Sequence, residues 1–371
     1  MIKLEKKKIG LIFVPLFFLM LAGVYFIYFS PIRFVGKYEA SDDPDFSAYS
    51  ELGSHDNNLF VLREGHNVYP DELLIFDISE RSKPELISGT EFSPSLGGVR
   101  GMTIDGEYLF IVSITRGILV VDISRMQSPQ LVSEYDWEQH GGYGSTLLVR
   151  DKIGYIRSVI TDEAERDEQL YVLSLENPLA ITVLSATREG GTPLSIENNY
   201  LYTAAMFDAQ QSARRYLKIL DVSDPGNPVV VKELFDVDSL TDAQIQGEKL
   251  YLSGGDGFLV ADISDPANPL MLGKVEWVSD EIVVDKQYVY ALHPWYVQVI
   301  DVSDANKPVI IDAERITQGR DFTLVDDYIY VVDWSDGLFV YKTNHATPSL
   351  YKRLSSYFYK IQEWFWSLWP E

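Results

Sequence analysis

Hydrophobic residues recur along this chain in short runs that alternate with turn residues, and they lack the 3.6-residue spacing of amphipathic helices. Seven runs share one pattern of four apolar residues, a polar residue and a proline-containing turn. They occupy residues 73–86, 118–131, 170–184, 217–230, 258–271, 297–310 and 338–350. The polar position falls at Asp77, Asp122, Ser174, Asp221, Asp262, Asp301 and Lys342, at intervals of 39 to 52 residues. A period of this size indicates repeated supersecondary units.

Each unit also contains two strand-like runs before this segment and one after it, rich in Val, Ile, Tyr and Leu. Four short strands separated by turns in every unit are typical of the blade of a β-propeller. We therefore predict an all-β propeller of about seven four-stranded antiparallel blades over residues 33–349. Residues 33–39 resemble a fourth strand but precede the first unit, so we expect them to complete the last blade.

The phrase Leu-x-x-x-Asp-Ile-Ser-Asp-Pro-x-x-Pro, with Tyr-x-Tyr upstream, resembles the LVIVD-repeat family of bacterial and archaeal surface proteins. The resemblance covers roughly residues 46–350 and is strongest in 217–310, whereas Ser174 and Lys342 depart from it. It implies a β-propeller on an exported protein. Because the family has no uniform activity, it implies no catalytic residues.

The aspartate of the repeat follows a buried strand directly. We expect its carboxylate to accept backbone N–H groups of the next turn, as in an Asx turn. Calcium binding by a row of these carboxylates is the alternative, but calcium loops place several acidic ligands at alternate positions.

A membrane segment is predicted at the N-terminus. Ile9–Phe29 is a run of 21 uncharged, mostly apolar residues, long enough at about 30 Å to cross a bilayer. Lys6, Lys7 and Lys8 precede it, so the positive-inside rule places the N-terminus in the cytoplasm and the propeller outside, in a periplasm or at a cell surface. The run exceeds the usual length of a cleaved signal, so residues 1–32 are interpreted as an uncleaved anchor, with cleavage as the alternative.

The last segment, residues 350–371, is predicted to form an aromatic amphipathic helix. Leu354, Phe358, Ile361, Phe365 and Leu368 follow helical spacing. The segment also contains Trp364, Trp366 and Trp369, a residue type that favours the bilayer interface. Packing of this helix on the propeller is an equally good interpretation.

Composition narrows the choice of functions. The chain has no cysteine, which excludes disulfides and thiol chemistry. Residues 34–371 hold 26 basic and 54 acidic residues, a net charge of −28 that repels nucleic acid. The five histidines form no metal-site motif, and no nucleophile elbow, phosphate loop or dinucleotide fingerprint occurs, so no cofactor is predicted.

Function is expected on the face opposite the chain ends, which carries the second-to-third-strand loops, the connections between blades and the mouth of the central channel. Loops held by a rigid scaffold commonly carry binding residues. The residues predicted to bind a ligand there are Arg100, Trp137, His140, Asp242, Trp277, Asp280, Trp295, Arg320, Asp321 and Trp334.

The leading functional hypothesis is a membrane-anchored, extracytoplasmic scaffold for surface recognition or adhesion that binds a protein segment or a glycan. An envelope assembly factor that docks a membrane partner is the second hypothesis. A hydrolase or lyase with a site at the channel mouth is the third, and no residue pair in the sequence supports it specifically.

Overall fold

The computed structural model describes residues 32–38, 49–65, 70–137, 142–161, 166–188, 190–206, 215–235, 237, 239–255, 257–276, 279–316, 318–333 and 337–343. These residues form strands and turns, and no helix occurs among them. The predicted membrane anchor and the predicted C-terminal helix, with Trp364, Trp366 and Trp369, lie outside the described residues. No helix long and apolar enough to cross a membrane is found within the ranges given above.

Twenty-eight strands form seven sheets of four antiparallel strands each. The first strand, β1 (Ile32–Tyr38), precedes blade 1. Blade 1 comprises β2 (Tyr49–His55), β3 (Asn58–Arg63), β4 (Asp71–Asp77) and β5 (Glu85–Phe92), and blade 2 comprises β6 (Val99–Asp105), β7 (Tyr108–Ser113), β8 (Gly117–Asp122) and β9 (Gln130–Tyr135). Blade 3 comprises β10 (Gly142–Arg150), β11 (Ile153–Thr161), β12 (Arg166–Ser174) and β13 (Thr182–Thr187). Blade 4 comprises β14 (Thr192–Glu197), β15 (Tyr200–Met206), β16 (Arg215–Asp221) and β17 (Val229–Leu234), and blade 5 comprises β18 (Leu240–Gln246), β19 (Lys249–Gly254), β20 (Gly257–Asp262) and β21 (Leu270–Val275). Blade 6 comprises β22 (Glu281–Asp285), β23 (Tyr288–His293), β24 (Tyr296–Asp301) and β25 (Val309–Arg315). Blade 7 contains β26 (Gly319–Val325), β27 (Tyr328–Asp333) and β28 (Gly337–Thr343).

The ring is closed by the N-terminal strand. Blades 1 to 6 each use four consecutive strands, whereas blade 7 has the order β26-β27-β28-β1. β1 pairs antiparallel with β28, with Ile32 opposite Thr343 and Tyr38 opposite Leu338. The predicted closure by residues 33–39 is therefore confirmed: the strand that precedes blade 1 completes blade 7, where backbone hydrogen bonds to β28 hold it.

The pairing of Ile32 with Thr343 also fixes where the chain enters and leaves the propeller. We call the side of the propeller on which these two residues lie the proximal face. It carries the turns that join the first strand of each blade to the second and the third to the fourth. The opposite, distal face carries the turns between second and third strands, the connections between blades and the beginnings of the inner strands.

The core lies between the blades, because the second and third strands of each blade are buried on both faces. Between blades 1 and 2, for example, Phe60, Leu62 and Ile75 pack against Leu109 and Ile111. All five residues are 0% exposed. Burial of each such side chain contributes roughly 1.5–3 kcal/mol, which explains why β-branched and aromatic residues dominate these strands.

The repeated aspartates are turn residues on the proximal face. Asp77 Oδ1 accepts a hydrogen bond from the backbone N–H of Ser79 at 2.7 Å, and the same bond occurs at 2.9 Å from Ser124, Ser223, Ser264 and Ser303 to Asp122, Asp221, Asp262 and Asp301. Hydrogen bonds from Ser79 hold the pKa of Asp77 below its usual value. The Asx-turn interpretation is confirmed.

These turns also connect neighbouring blades. The hydroxyl groups of Ser88, Ser133 and Ser185, on the outer strands of blades 1, 2 and 3, donate to a carbonyl in the turn of the next blade at 2.6, 3.3 and 2.7 Å. In blade 5 the corresponding residue is Gly273, where a Cβ atom would lie 2.4 Å from the carbonyl oxygen of Ala305. A glycine is required there because the two backbones approach so closely.

Arg81 secures the junction of blades 1 and 7. Its Nε donates to Asp326 Oδ2 at 2.8 Å and its Nη1 to the carbonyl oxygen of Ile78 at 2.6 Å. The hydroxyl of Tyr330 in turn donates to the carbonyl oxygen of Arg81 at 2.7 Å. Side chains therefore join the two blades in addition to the strand pairing of β1.

Candidate binding site at the distal channel mouth

The inner strands surround the central channel, and most of them are irregular where they begin at the distal face. Six of the seven change register with the second strand near this end, as at a β-bulge. A bulge increases local twist and re-aims side chains. The bulge residues Arg100 in blade 2 and Arg320 in blade 7 are exposed at the distal beginnings of their inner strands.

Four carboxylates occupy one equivalent position, four residues before the end of the inner strand, and in blades 1, 5 and 7 this position directly follows the irregularity. We call Glu51, Asp242, Glu281 and Asp321 the carboxylate crescent, because they belong to the consecutive blades 1, 5, 6 and 7 of the ring. The same position in blades 2, 3 and 4 is occupied by Gly101, Thr146 and Pro193. One side of the channel is therefore acidic and the other uncharged at this level.

Two members of the crescent hold neighbouring blades together. Asp242 accepts the backbone N–H of Ala243 at 2.7 Å and that of Ile282, on the next blade, at 2.8 Å. Asp321 accepts the backbone N–H of Phe322 at 2.6 Å and that of Leu52, across the closing junction, at 2.5 Å. These bonds satisfy backbone donors that would otherwise face the channel unpaired.

The crescent favours bound protons. Burial raises the pKa of Asp242 and of Asp321 to about 6. Burial and the nearby Asp321 carboxylate raise the pKa of Glu51 to about 8, against the opposing effect of Arg320. Burial, followed by Asp321, raises the pKa of Glu281 well above its usual value. Like charges held close together in a poorly solvated site disfavour ionisation, and a cationic group placed among them would relieve that cost.

The rim beside the crescent carries an exposed aromatic residue. Trp295 is 45% exposed in the turn between β23 and β24. The carbonyl oxygen of Pro294 accepts the N–H of Gly319 at 3.0 Å, which places this turn beside Arg320 and Asp321. Asp280 is exposed at the entrance to β22, and its N–H donates to Leu292 O at 2.9 Å. An anchored, exposed tryptophan beside acidic groups suits cation–π and charge contacts with a basic ligand.

The structure brings together part of the predicted set. Asp242, Asp280, Trp295, Arg320 and Asp321 line the mouth at blades 5 to 7, and Arg100 lies at the mouth on blade 2. Three predicted residues, His140, Trp277 and Trp334, lie outside the described residues.

Trp137 requires a correction, because it is a core residue. It is 2% exposed, its ring packs edge-on to Tyr171 at 5.2 Å, and its Nε1 donates to Ser158 Oγ at 2.8 Å. A tryptophan buried between blades 2 and 3 is not a surface contact for a ligand.

Glu51 was absent from the predicted set although its carboxylate belongs to the crescent. Its inner strand carries no repeat motif, and its Tyr-Ser-Glu-Leu-Gly sequence has no obvious strand signature. Counting back five residues from the turn at Asp56-Asn57, as from the turn at Gly247-Glu248, would have aligned Glu51 with Asp242. Among the residues for which positions are described, no group of three or more histidine or carboxylate side chains is arranged to hold a metal ion.

Seven four-stranded antiparallel sheets around a channel define a seven-bladed β-propeller. The profile of the LVIVD repeat matches residues 69–90, 96–137, 192–235, 241–276 and 318–341, which lie in blades 1, 2, 4, 5 and 7. The chain is therefore a seven-bladed β-propeller with LVIVD repeats in five of its blades, as the sequence resemblance implied. Blades 3 and 6 have the same four-stranded form without a match to the profile.

Solved structures share this fold at low sequence identity. The β-propeller domain of Cps50 (Swd1) from Myceliophteria thermophila has a TM-score of 0.59 and 9% identity, over 85% of this chain and 100% of that one. The WD40 propeller domain of Doa1 gives 0.58 and 10%, over 86% and 99%. The computationally designed Ika8 protein gives 0.53 and 13%, over 83% and 100%. No curated protein matches the chain. At these identities the similarity concerns the fold alone.

Proposed function

We propose that this protein is a membrane-anchored, extracytoplasmic recognition scaffold that binds a positively charged segment of a partner protein at the distal channel mouth. The observation that carries the proposal is the carboxylate crescent: four acidic side chains from consecutive blades, poorly solvated, beside an exposed tryptophan. The predicted anchor at residues 1–32 and the location outside the cytoplasm are parts of the same proposal.

The geometry of the chain ends supports this orientation. Ile32 and Thr343 pair on the proximal face, so an anchor that precedes Ile32 would hold that face towards the membrane. The crescent and Trp295 are on the opposite face and would point towards the partner. The ring of seven blades would then lie between the anchored proximal face and the binding site on the distal face.

Charge supports the choice of partner. The propeller carries a strongly negative net charge, and acidic clefts with poorly solvated walls concentrate cations and accelerate their association. A lysine or arginine side chain that enters the crescent would exchange with protons held there. Arg100, on blade 2 across the channel, would direct it towards the acidic side by repulsion from its own position.

Binding of a labelled oligolysine peptide to the detergent-solubilised full chain tests this proposal by fluorescence anisotropy at low and moderate salt. We expect saturable binding that weakens with salt and that loses at least fivefold in affinity in Trp295→Ala and Asp280→Asn. Phe235→Ala is the matched control for the tryptophan, because Phe235 is 54% exposed at the end of the outer strand of blade 4 and packs against Tyr216, which is not a crescent residue.

Glu80→Gln is the matched control for the acidic substitution, since Glu80 is exposed on the proximal face. Equal weakening by all four substitutions would indicate nonspecific attraction to an acidic surface and would remove the distal mouth as the site. Absence of saturable binding at low salt would remove the cationic partner.

A further inference from the structure

An arginine lies on the acidic side of the channel mouth. Arg320 directly precedes the crescent residue Asp321, and its side chain is exposed. The register between β26 and β27 shifts between Gly319 and Asp321, so Arg320 is the extra residue of the bulge. A bulge re-aims the side chain that it carries. The direction of Arg320 is therefore set by the bulge and not by the regular alternation of the strand.

Two neighbouring elements hold the backbone that leads to Arg320. The carboxylate of Asp333, a residue that is 2% exposed, accepts the N–H of Gln318 at 2.5 Å. The carbonyl oxygen of Pro294, in the distal turn of blade 6, accepts the N–H of Gly319 at 3.0 Å. The start of the arginine side chain is therefore fixed, whereas its exposed guanidinium end keeps the rotational freedom of a long side chain.

Carboxyl groups of two blades feel the positive charge of Arg320. They are those of Glu51, Glu64 and Asp321. Asp321 accepts the N–H of Leu52 at 2.5 Å, which places the beginning of β26 against β2 next to Glu51. Burial raises the pKa of all three carboxyl groups, and the charge of Arg320 opposes the rise in each. The guanidinium group therefore lies where a bound cation would relieve the repulsion between the carboxylates.

Blade 2 carries an arginine for comparison. Arg100 is also exposed, and it is also the extra residue of a bulge at the distal beginning of an inner strand. It is followed by Gly101, whereas Arg320 is followed by Asp321. The two arginines share their position within the blade and differ in the carboxylate that follows.

We propose that Arg320 is a tethered competitor for the carboxylate crescent: its guanidinium group takes the position of the ligand's cation in the unliganded protein, and the ligand displaces it. This inference rests on the proposed function, because it requires a cationic ligand at the crescent. A tethered group acts at a high effective concentration, so small cations compete poorly with it. The ligand therefore has to bring several positive charges or further contacts, such as one with Trp295.

Substitution of the two arginines tests the proposal in the anisotropy titration with labelled oligolysine and the detergent-solubilised full chain. Arg320→Gln should tighten binding about fivefold or more, whereas Arg100→Gln, with the same change of net charge, should tighten it by less than about twofold. Arg320→Lys should bind more weakly than Arg320→Gln, because lysine retains a competing charge. Equal gains in Arg320→Gln and Arg100→Gln would overturn the proposal, since they would report the net charge alone.

Chemical modification provides a second arm, because the chain has no cysteine and an introduced one is alone. Arg320→Cys should bind oligolysine about as tightly as Arg320→Gln. A methanethiosulfonate reagent that attaches an aminoethyl group restores the positive charge and should return the affinity towards that of the wild type. The reagent that attaches an uncharged methyl group should leave the tight binding unchanged. Equal affinities after the two reactions on one protein preparation would contradict a competing charge at this position.

The outcomes separate this inference from the proposed function. Saturable binding by the wild-type chain that is unchanged or weakened in Arg320→Gln would remove the tethered competitor and leave the cationic partner in place. Absence of saturable binding by both the wild-type chain and Arg320→Gln would remove the proposed function, and this inference with it.

Discussion

The substitution Glu51→Gln probes the carboxylate crescent through the pH dependence of stability. Glu51 is partly buried on β2 and has a pKa of about 8 in the folded chain, against an ordinary value of 4.5. Because the folded state holds this proton more tightly than the unfolded state, the resulting stabilisation is complete below pH 4.5. It is lost progressively as the pH rises towards 8.

The size of the effect follows from the two pKa values. A difference of this size corresponds to about 5 kcal/mol in total, of which about 3–4 kcal/mol disappears between pH 5 and pH 8. Glutamine has nearly the shape of a protonated glutamate and does not titrate. The Glu51→Gln chain should therefore lose about 3–4 kcal/mol less than the wild type over this range.

Urea unfolding at pH 5, 6, 7 and 8, followed by tryptophan fluorescence, measures this difference. Glu91→Gln is the control, because Glu91 is exposed on the outer strand of the same blade and the substitution changes the net charge equally. Identical pH profiles for Glu51→Gln and Glu91→Gln would refute the reasoning. A wild-type chain more stable at pH 8 than at pH 5 would also contradict it, because groups whose pKa is raised in the folded chain lose stabilisation as the pH rises.

Three further substitutions test the packing on which the site depends. Trp137→Phe should lower the free energy of unfolding by about 1–3 kcal/mol, because it leaves the Ser158 hydroxyl buried without its indole partner; an unchanged urea midpoint would place Trp137 outside the core. Gly273→Ala should cost about 1–3 kcal/mol through contact with the next blade, whereas Gly53→Ala, which meets only flexible side-chain ends at 3.3 Å, should be tolerated in the same thermal melt. Arg81→Ala should cost about 1–3 kcal/mol and increase hydrogen exchange in β1 and β2 before other strands; uniform exchange across the blades would exclude a role in closing the ring.

The repeat and its consequences could be predicted from the sequence because they depend on local rules. The alternation of apolar runs and turns predicted the blades, and a fourth strand that preceded its own unit predicted the closure by β1. The Asx turns followed from the chemistry of aspartate at a strand end, as at Asp77 and Asp262. The order of the strands and the closure by β1 were enough to predict that the chain ends and the distal face lie on opposite sides of the propeller.

The details of the site required three-dimensional information. Trp137 lies in a connection between blades, where the sequence does not show whether a side chain points outward or into the next interface. Its burial against Tyr171 depends on the packing of blade 2 on blade 3. The crescent requires Glu51 and Asp242 to lie at the same level along the axis of the channel. Its four residues come from different blades and become neighbours only when the ring closes.

The claim that the distal mouth recognises a partner is tested most directly by site-specific photocrosslinking in cells that produce the full chain. A photoreactive amino acid at position 295 or 280 should form defined covalent adducts with a partner, whereas the same residue at position 235 or 80 should form none. Adducts that weaken in Asp242→Asn would connect the partner to the crescent. Adducts at the proximal position 80 without any at 295 would contradict the account, because they would place the partner on the face from which the chain ends emerge.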